Sequence, residues 1–247
     1  MDVALILAVD TSATPVSCAL LQEERVLASY YSHSGQTHSQ TLMPMIEHML
    51  QLSGVSVKQL DAVAVNVGPG SFTGVRIGVS TVKGLAFADE IPCIAVSTLE
   101  AMAEPLRSLP MEGLICCVMD ARCQQVYTAA FSLDADGALS RLTPDEALPV
   151  EELKNRLKSQ NKSVILVGDG SNMCYTMLKE DIPRLSLAPT PLRFQSAVGT
   201  ALVARHKLAQ GETVSAAALM PTYLRLPQAE RELRARQAGG EAAQITQ

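Results

Sequence analysis

The chain has 247 residues, 47% of them hydrophobic and 18% charged, which is enough apolar material for one large domain or two lobes and excludes wholesale disorder. Its formal net charge of −5 excludes the basic face that independent nucleic-acid binding requires, so contact with RNA is expected only through a partner. No apolar run approaches the roughly 18–20 residues of a membrane span, and the opening Met1-Asp2-Val3-Ala4 lacks the basic flank of a secretory signal, so a soluble cytoplasmic protein is expected.

In chain order, an apolar run over Val3 to Val9 ends in the turn-forming cluster Asp10-Thr11-Ser12-Ala13-Thr14-Pro15. Val16 to Leu21, a polar turn at Gln22-Glu23-Glu24, and Val26 to Tyr31 complete a predicted three-stranded meander. A helix is predicted over 38–52, with Leu42, Met45, Ile46, Met49 and Leu50 at helical spacing and Gly54 past its end. Pro44 must lie in its first turns or kink it. Leu60 to Val67 reads as a strand, 71–88 as a helix and Ile91 to Val96 as a strand.

A similar order then recurs. Leu114 to Met119 ends in Asp120-Ala121-Arg122, Gln125 to Ser132 alternates as a strand, and Ala138 to Leu142 supplies a third. Glu151 to Lys158 is helical, Val164 to Val167 ends at Gly168-Asp169-Gly170, and a helix over Ser171 to Lys179 follows. Asp10 and Asp120 thus end equivalent first strands, while Gly68-Pro69-Gly70 and Gly168-Asp169-Gly170 end equivalent fourth strands. A further helix is predicted over Arg193 to Leu208, and Pro221 to Arg225 closes the folded part. From Gln228 the chain is polar and reads as a helical extension fraying into a mobile tail. Two copies of β-β-β-α-β-α around a cleft resemble the actin-like ATPase (ASKHA) architecture, an α/β fold of two ribonuclease-H-like lobes. Residues 1–104 form the first lobe, 105–226 the second with a returning C-terminal helix, and 227–247 the tail.

Residues 66–78, NVGPGSFTGVRIG, place four glycines between a strand and a helix, where free N–H groups favour anions. Neither G-x-x-x-x-G-K-[ST] nor G-x-G-x-x-G is satisfied, so Gly68 and Gly70 either shape a tight turn capped by Ser71 or hold phosphate. In the following helix Phe72, Val75, Val79, Val82 and Ala86 form one apolar stripe, and Gly74 and Gly78 lie on a neighbouring face that Thr81 extends. Each helix-interior glycine costs about 1 kcal/mol relative to alanine, so another backbone is expected close by, in this protein's own sheet or in a partner helix. The helix at 38–52 adds surplus apolar surface, with Met43, Met45 and Met49 adaptable enough for an interface. The turn at Asp10 carries no glycine to wrap phosphate, so a degenerate nucleotide site is expected; Asp10 can reach a hydrated magnesium ion, and Thr11 or Ser12 a phosphate, or all three can serve turn chemistry. Neither H-E-x-x-H nor G-x-S-x-G occurs, and no catalytic or metal-binding set is expected. The six cysteines contain no C-x-x-C and are expected to be reduced and packed in the core.

Ile6 to Ser12, His38 to Met45, Gly68 to Gly78, Lys83-Gly84-Leu85-Ala86, Val96 to Leu99, Asp120-Ala121-Arg122 with Val126-Tyr127, and Pro221-x-Tyr223-Leu224-Arg225 resemble the bacterial TsaB (YeaZ) family. The resemblance runs from about residue 4 to 226 and leaves the tail outside. It implies a non-catalytic scaffold and activator in the synthesis of N6-threonylcarbamoyladenosine beside the anticodon of tRNAs that read ANN codons. Such a subunit pairs with the catalytic paralogue TsaD through its first two helices. The ATPase TsaE joins the pair, tRNA is reached through the complex, and the isolated subunit can homodimerise. Carried over by position, Leu42, Met45, Met49, Gly74, Gly78 and Thr81 are the candidate partner contacts. Asp10, Thr11, Ser12, Gly70, Ser71 and Arg76 are the candidate nucleotide, phosphate or polar partner contacts. The chain is expected to hold no cofactor of its own, with ATP or ADP placed at the interface with its partner. The competing expectation is an independent actin-like ATPase or small-molecule kinase; the old glycoprotease label of the family finds no support in these residues.

Overall fold

In a computed structural model, which describes residues 4–160 and 162–225, the predicted meander folds as β1 (Leu5–Asp10), β2 (Val16–Gln22) and β3 (Arg25–Ser32). The tail expected at 227–247 lies outside the described residues. Next come α1 (His38–Ser53), β4 (Ala62–Gly68), α2 (Phe72–Phe87) and β5 (Cys93–Ser97). These strands make one sheet in the order β3-β2-β1-β4-β5, antiparallel through β1 and parallel from β1 to β5. Pro44 sits within α1, and Gly54 closes the helix in the left-handed conformation at φ 65°.

The second half repeats the plan with β6 (Gly113–Asp120), β7 (Gln125–Leu133), β8 (Leu139–Arg141), β9 (Glu146–Pro149), α4 (Val150–Lys158), β10 (Val164–Val167), α5 (Ser171–Leu178) and β11 (Leu185–Leu187). Its sheet runs β11-β10-β6-β7-β8, with β9 also on β7. The order matches the first sheet strand for strand, so the internal repeat is a repeat of topology.

Two helices tie the halves together. Short α3 (Thr98–Ala103) follows β5, and α6 (Ala197–Ala209) follows β11. Leu99, Met102 and Ala103 of α3 pack against Ile115, Cys117, Met119 and Phe131 of the second sheet. Ala197, Ala201, Val203 and Ala204 of α6 lie on Ile6, Ala8, Ala62, Ala64 and Ile94 of the first. The opposite face of the first sheet is covered by α1 and α2 through Leu42, Ile46, Met49, Val75, Val79 and Val82. Such a strand is apolar throughout because both faces are buried, and each fully buried Leu, Ile or Val contributes about 1.5–3 kcal/mol.

Three expectations need correction. The helix predicted from Arg193 begins at Ala197, because Ser196 caps it by accepting from Val198 N at 3.3 Å. The helix α3 and the short strands β9 and β11 were not expected, being too brief to establish a period. Cys123 is exposed in the β6–β7 turn while the other five cysteines are buried; it lies between strands, in a turn where Arg122, Cys123 and Gln124 all take positive φ.

Candidate functional site

The turn after β1 and the glycine loop after β4 meet directly. Asp10 is buried, and its Oδ1 accepts from Ser12 N at 2.9 Å and Ser12 Oγ at 2.7 Å. Burial pushes its carboxyl above the ordinary value, against the pull of those bonds. Thr11 Oγ1 donates to the Gly74 carbonyl at 2.7 Å, and Ser71 N donates to the Ser12 carbonyl at 2.7 Å. Ser71 Oγ caps α2 by accepting from Gly74 N at 3.2 Å.

The glycines permit this contact. A Cβ at Gly70 would strike the Ser12 carbonyl, one at Gly74 the Thr11 carbonyl, and one at Gly78 the Thr11 hydroxyl. Gly68, at φ 124°, is pressed against the Thr222 carbonyl from the C-terminal segment. The Thr11 and Ser12 hydroxyls and the Ser71 amide are therefore committed to partners within the chain. The two hydroxyls thus spend their protons inside the chain, whereas Ser71 Oγ only accepts, and Ser12, Gly70 and Ser71 line the cleft between the halves. Arg76, the sixth polar candidate, is exposed; its Nε donates to Tyr223 Oη at 2.8 Å and its guanidinium lies 3.8 Å from the Phe72 ring centroid.

The second half repeats the device. Asp120 Oδ1 accepts from Arg122 N at 2.8 Å, and Gly168, at φ 111°, abuts the Val118 carbonyl. Asp169 accepts from Gln195 Nε2 at 2.9 Å, and burial raises its carboxyl. Between the halves lies a cleft of about 670 Å³, walled by Thr14, His38 and Thr73 on one side and by Asp120, Tyr127 and Asp169 on the other. Among the described residues no group of three or more His, Cys, Asp or Glu side chains is placed to hold a metal ion, and no helix is long and apolar enough to cross a membrane.

The candidate partner contacts divide. Leu42 and Met49 are 1% and 0% exposed and belong to the core under α1. Gly74 and Gly78 are buried and turned toward Thr11, so the backbone they admit is the chain's own. Helical period accounts for both placements: these positions lie on the inward stripes of α1 and α2. Met45 and Thr81 are half-buried at the margin. The outward surface instead carries Leu52 at 70% and Phe87 at 76% exposure, with Gly84 between Ser80 and Ala88 facing open space. Gly84, a third glycine inside the same helix, is the feature of the sequence that marks this outward surface.

Comparison with known proteins adds an independent finding. The family model described as TsaD, tRNA N6-adenosine threonylcarbamoyltransferase, matches residues 29–233. The tRNA threonylcarbamoyladenosine biosynthesis protein TsaB of Bacillus subtilis is 33% identical over 226 residues, covering 91% of this chain and 96% of its own length. The TsaB protein of Escherichia coli is 32% identical over 220 residues, 89% of this chain and 94% of its own. The structure of YeaZ from Pseudomonas aeruginosa superposes with a TM-score of 0.75 at 32% identity, over 90% of this chain and 100% of that one.

Proposed function

The chain belongs to the TsaB family of tRNA threonylcarbamoyladenosine biosynthesis proteins, with the actin-like ATPase fold, and from that premise we propose that it is a non-catalytic subunit that pairs with TsaD. The pairing uses the outward faces of α1 and α2. The observation that carries this reading is Gly84, an exposed glycine inside a 16-residue helix with no atom of its own chain to make room for. Phe87, three residues on in the same helix, and Leu52 of α1 are the large exposed apolar residues of the two helices. A small residue beside large exposed apolar ones suits close approach of a second helix.

In this reading TsaE joins the pair in an ATP-dependent step, and ATP or ADP belongs to the surface shared with the partner. The commitment of the Thr11 and Ser12 hydroxyls to internal hydrogen bonds supports that placement. The net charge of −5 supports access to tRNA through the complex rather than by this chain alone. The work is done in the cytoplasm, and without its partner the same face joins two copies. An independent ATPase would instead turn over Mg-ATP by itself and lose that turnover in Asp10→Ala.

The deciding experiment is co-purification with TsaD. Gly84→Leu and Phe87→Glu are expected to abolish the complex while leaving the circular dichroism spectrum and unfolding midpoint of the isolated chain unchanged or improved. An intact complex with both substitutions present removes this face from the reading.

A further inference from the structure

The motif Pro221-Thr222-Tyr223-Leu224-Arg225 is absorbed by no part of the proposed docking surface, yet it touches both halves of the molecule. Thr222 N donates to the Val67 carbonyl at the end of β4, at 2.7 Å. The Thr222 carbonyl occupies the space a side chain at Gly68 would need. Tyr223 stacks on Phe72 with ring centroids 4.8 Å apart and accepts through Oη from Arg76 Nε. All of these partners belong to the first half. Two residues on, Arg225 Nη1 donates to the Ala121 carbonyl at 2.5 Å, in the turn that follows β6 of the second half. Residues 222–225 line the cleft itself.

We propose that residues 222–225 are a latch that holds the two lobes in one relative orientation, so that the cleft does not open and close by hinge rotation. A hinge motion requires the elements bridging the two bodies to slide or break. Here the bridge is anchored on one side by a backbone hydrogen bond and an aromatic stack. On the other side it is anchored by a guanidinium donating to a backbone carbonyl, and hydrogen bonds with a charged partner are the stronger kind. A second tie lies outside the cleft. Ser97 Oγ donates to Asp145 Oδ2 at 2.5 Å, and Arg141 pairs with Asp145 at 2.6 Å and with Glu100 at 3.6 Å. Ser97 ends β5 of the first sheet, whereas Arg141 and Asp145 belong to the second half, on whose sheet Glu100's helix α3 packs, so the Ser97–Asp145 bond is the one that crosses between the halves. With ties inside and outside the cleft, rotation in either sense breaks at least one of them. The latch gives the first half a glycine at position 68 for a purpose other than ligand binding.

The test is a spin-label distance measurement across the cleft in the full chain. One label is placed on the exposed Cys123 and the other on Ser39→Cys in the first turn of α1, the remaining five cysteines being buried. The latched protein is expected to give a single narrow distance distribution. The double variant Tyr223→Ala/Arg225→Ala is expected to broaden it and shift it to longer distance, with hydrogen exchange of the 66–75 segment rising about tenfold. Tyr223→Phe and Arg225→Met keep the packing, remove one hydrogen bond each, and are expected to give intermediate widths with an unchanged circular dichroism spectrum. A broad distribution in the unsubstituted chain, or a narrow one that none of the variants changes, overturns the latch.

Discussion

A Cβ added at Gly78 would drive into the Thr11 hydroxyl and lie 3.2 Å from Val65 Cγ2, so alanine there forces the β1 turn away from α2. The same change at Gly84, on the same helix, meets nothing within 4 Å. Gly78→Ala is therefore expected to destabilise the chain by about 1–3 kcal/mol, the cost of forcing volume into a packed site. Gly84→Ala is expected to stabilise the isolated chain by about 0.5–1 kcal/mol, the gain of replacing a free helical glycine. Urea unfolding midpoints of the two variants against the parent read both effects. Equal shifts of the same sign would show that the two glycines do not differ in this way. The sequence announced that backbones come close along this helix, because interior glycines are costly. It could not say which backbone, since Thr11 is distant along the chain from Gly74 and Gly78 and only the folded sheet brings it there. Likewise Asp10, Thr11 and Ser12 were visible as a cluster able to reach a hydrated magnesium ion and a phosphate or to make a turn, and the bonds among them show the turn chemistry in place.

The helix α6 is held to the first sheet by more than its alanines. Thr200 Oγ1 donates to the Asn66 side-chain carbonyl at 3.0 Å, and Ala197 N donates to Ser17 Oγ at 2.8 Å, all four residues being buried. Thr200→Val keeps the shape and leaves the Asn66 oxygen buried without a donor, which costs about 1–3 kcal/mol. The expected result is a lower urea midpoint with an unchanged slope; a neutral substitution would mean that Asn66 finds another donor. Long elements such as α1, α2, β1 and β4 were legible because their apolar residues repeat over several turns or fill both faces of a buried strand. β9 and β11, four and three residues long, take their conformation from the neighbours they pair with, and so few residues carry no period. The start of α6 depends on the Ser196 cap rather than on the apolar pattern, which continues upstream of it.

At the scale of the whole molecule, the repeat was legible from Asp10 with Asp120 and from the two glycine turns. The crossed placement of α3 and α6 was not, because it depends on packing between halves far apart in the chain. That crossing has a thermodynamic consequence. The first sheet has α6 on one face and the second sheet has α3, and a Cβ at Gly199 of α6 would collide with the Ala101 carbonyl of α3. Neither half can unfold without stripping a covering helix from the other, so the two cores are expected to unfold together. The cysteines supply a probe in each: Cys18 in the first core, and Cys116 and Cys174 in the second, with burial pushing each of these thiols up to about 12 and keeping them unreactive while folded. Exposed Cys123 is the internal reference that reacts from the outset. Pulsed thiol labelling across a urea series, read by mass spectrometry of the fragments, should give one midpoint for Cys18, Cys116 and Cys174. If Cys116 became reactive at a lower urea concentration than Cys18, the halves would be separate folding units, and the α3–α6 crossing would be a contact between domains rather than part of a shared core.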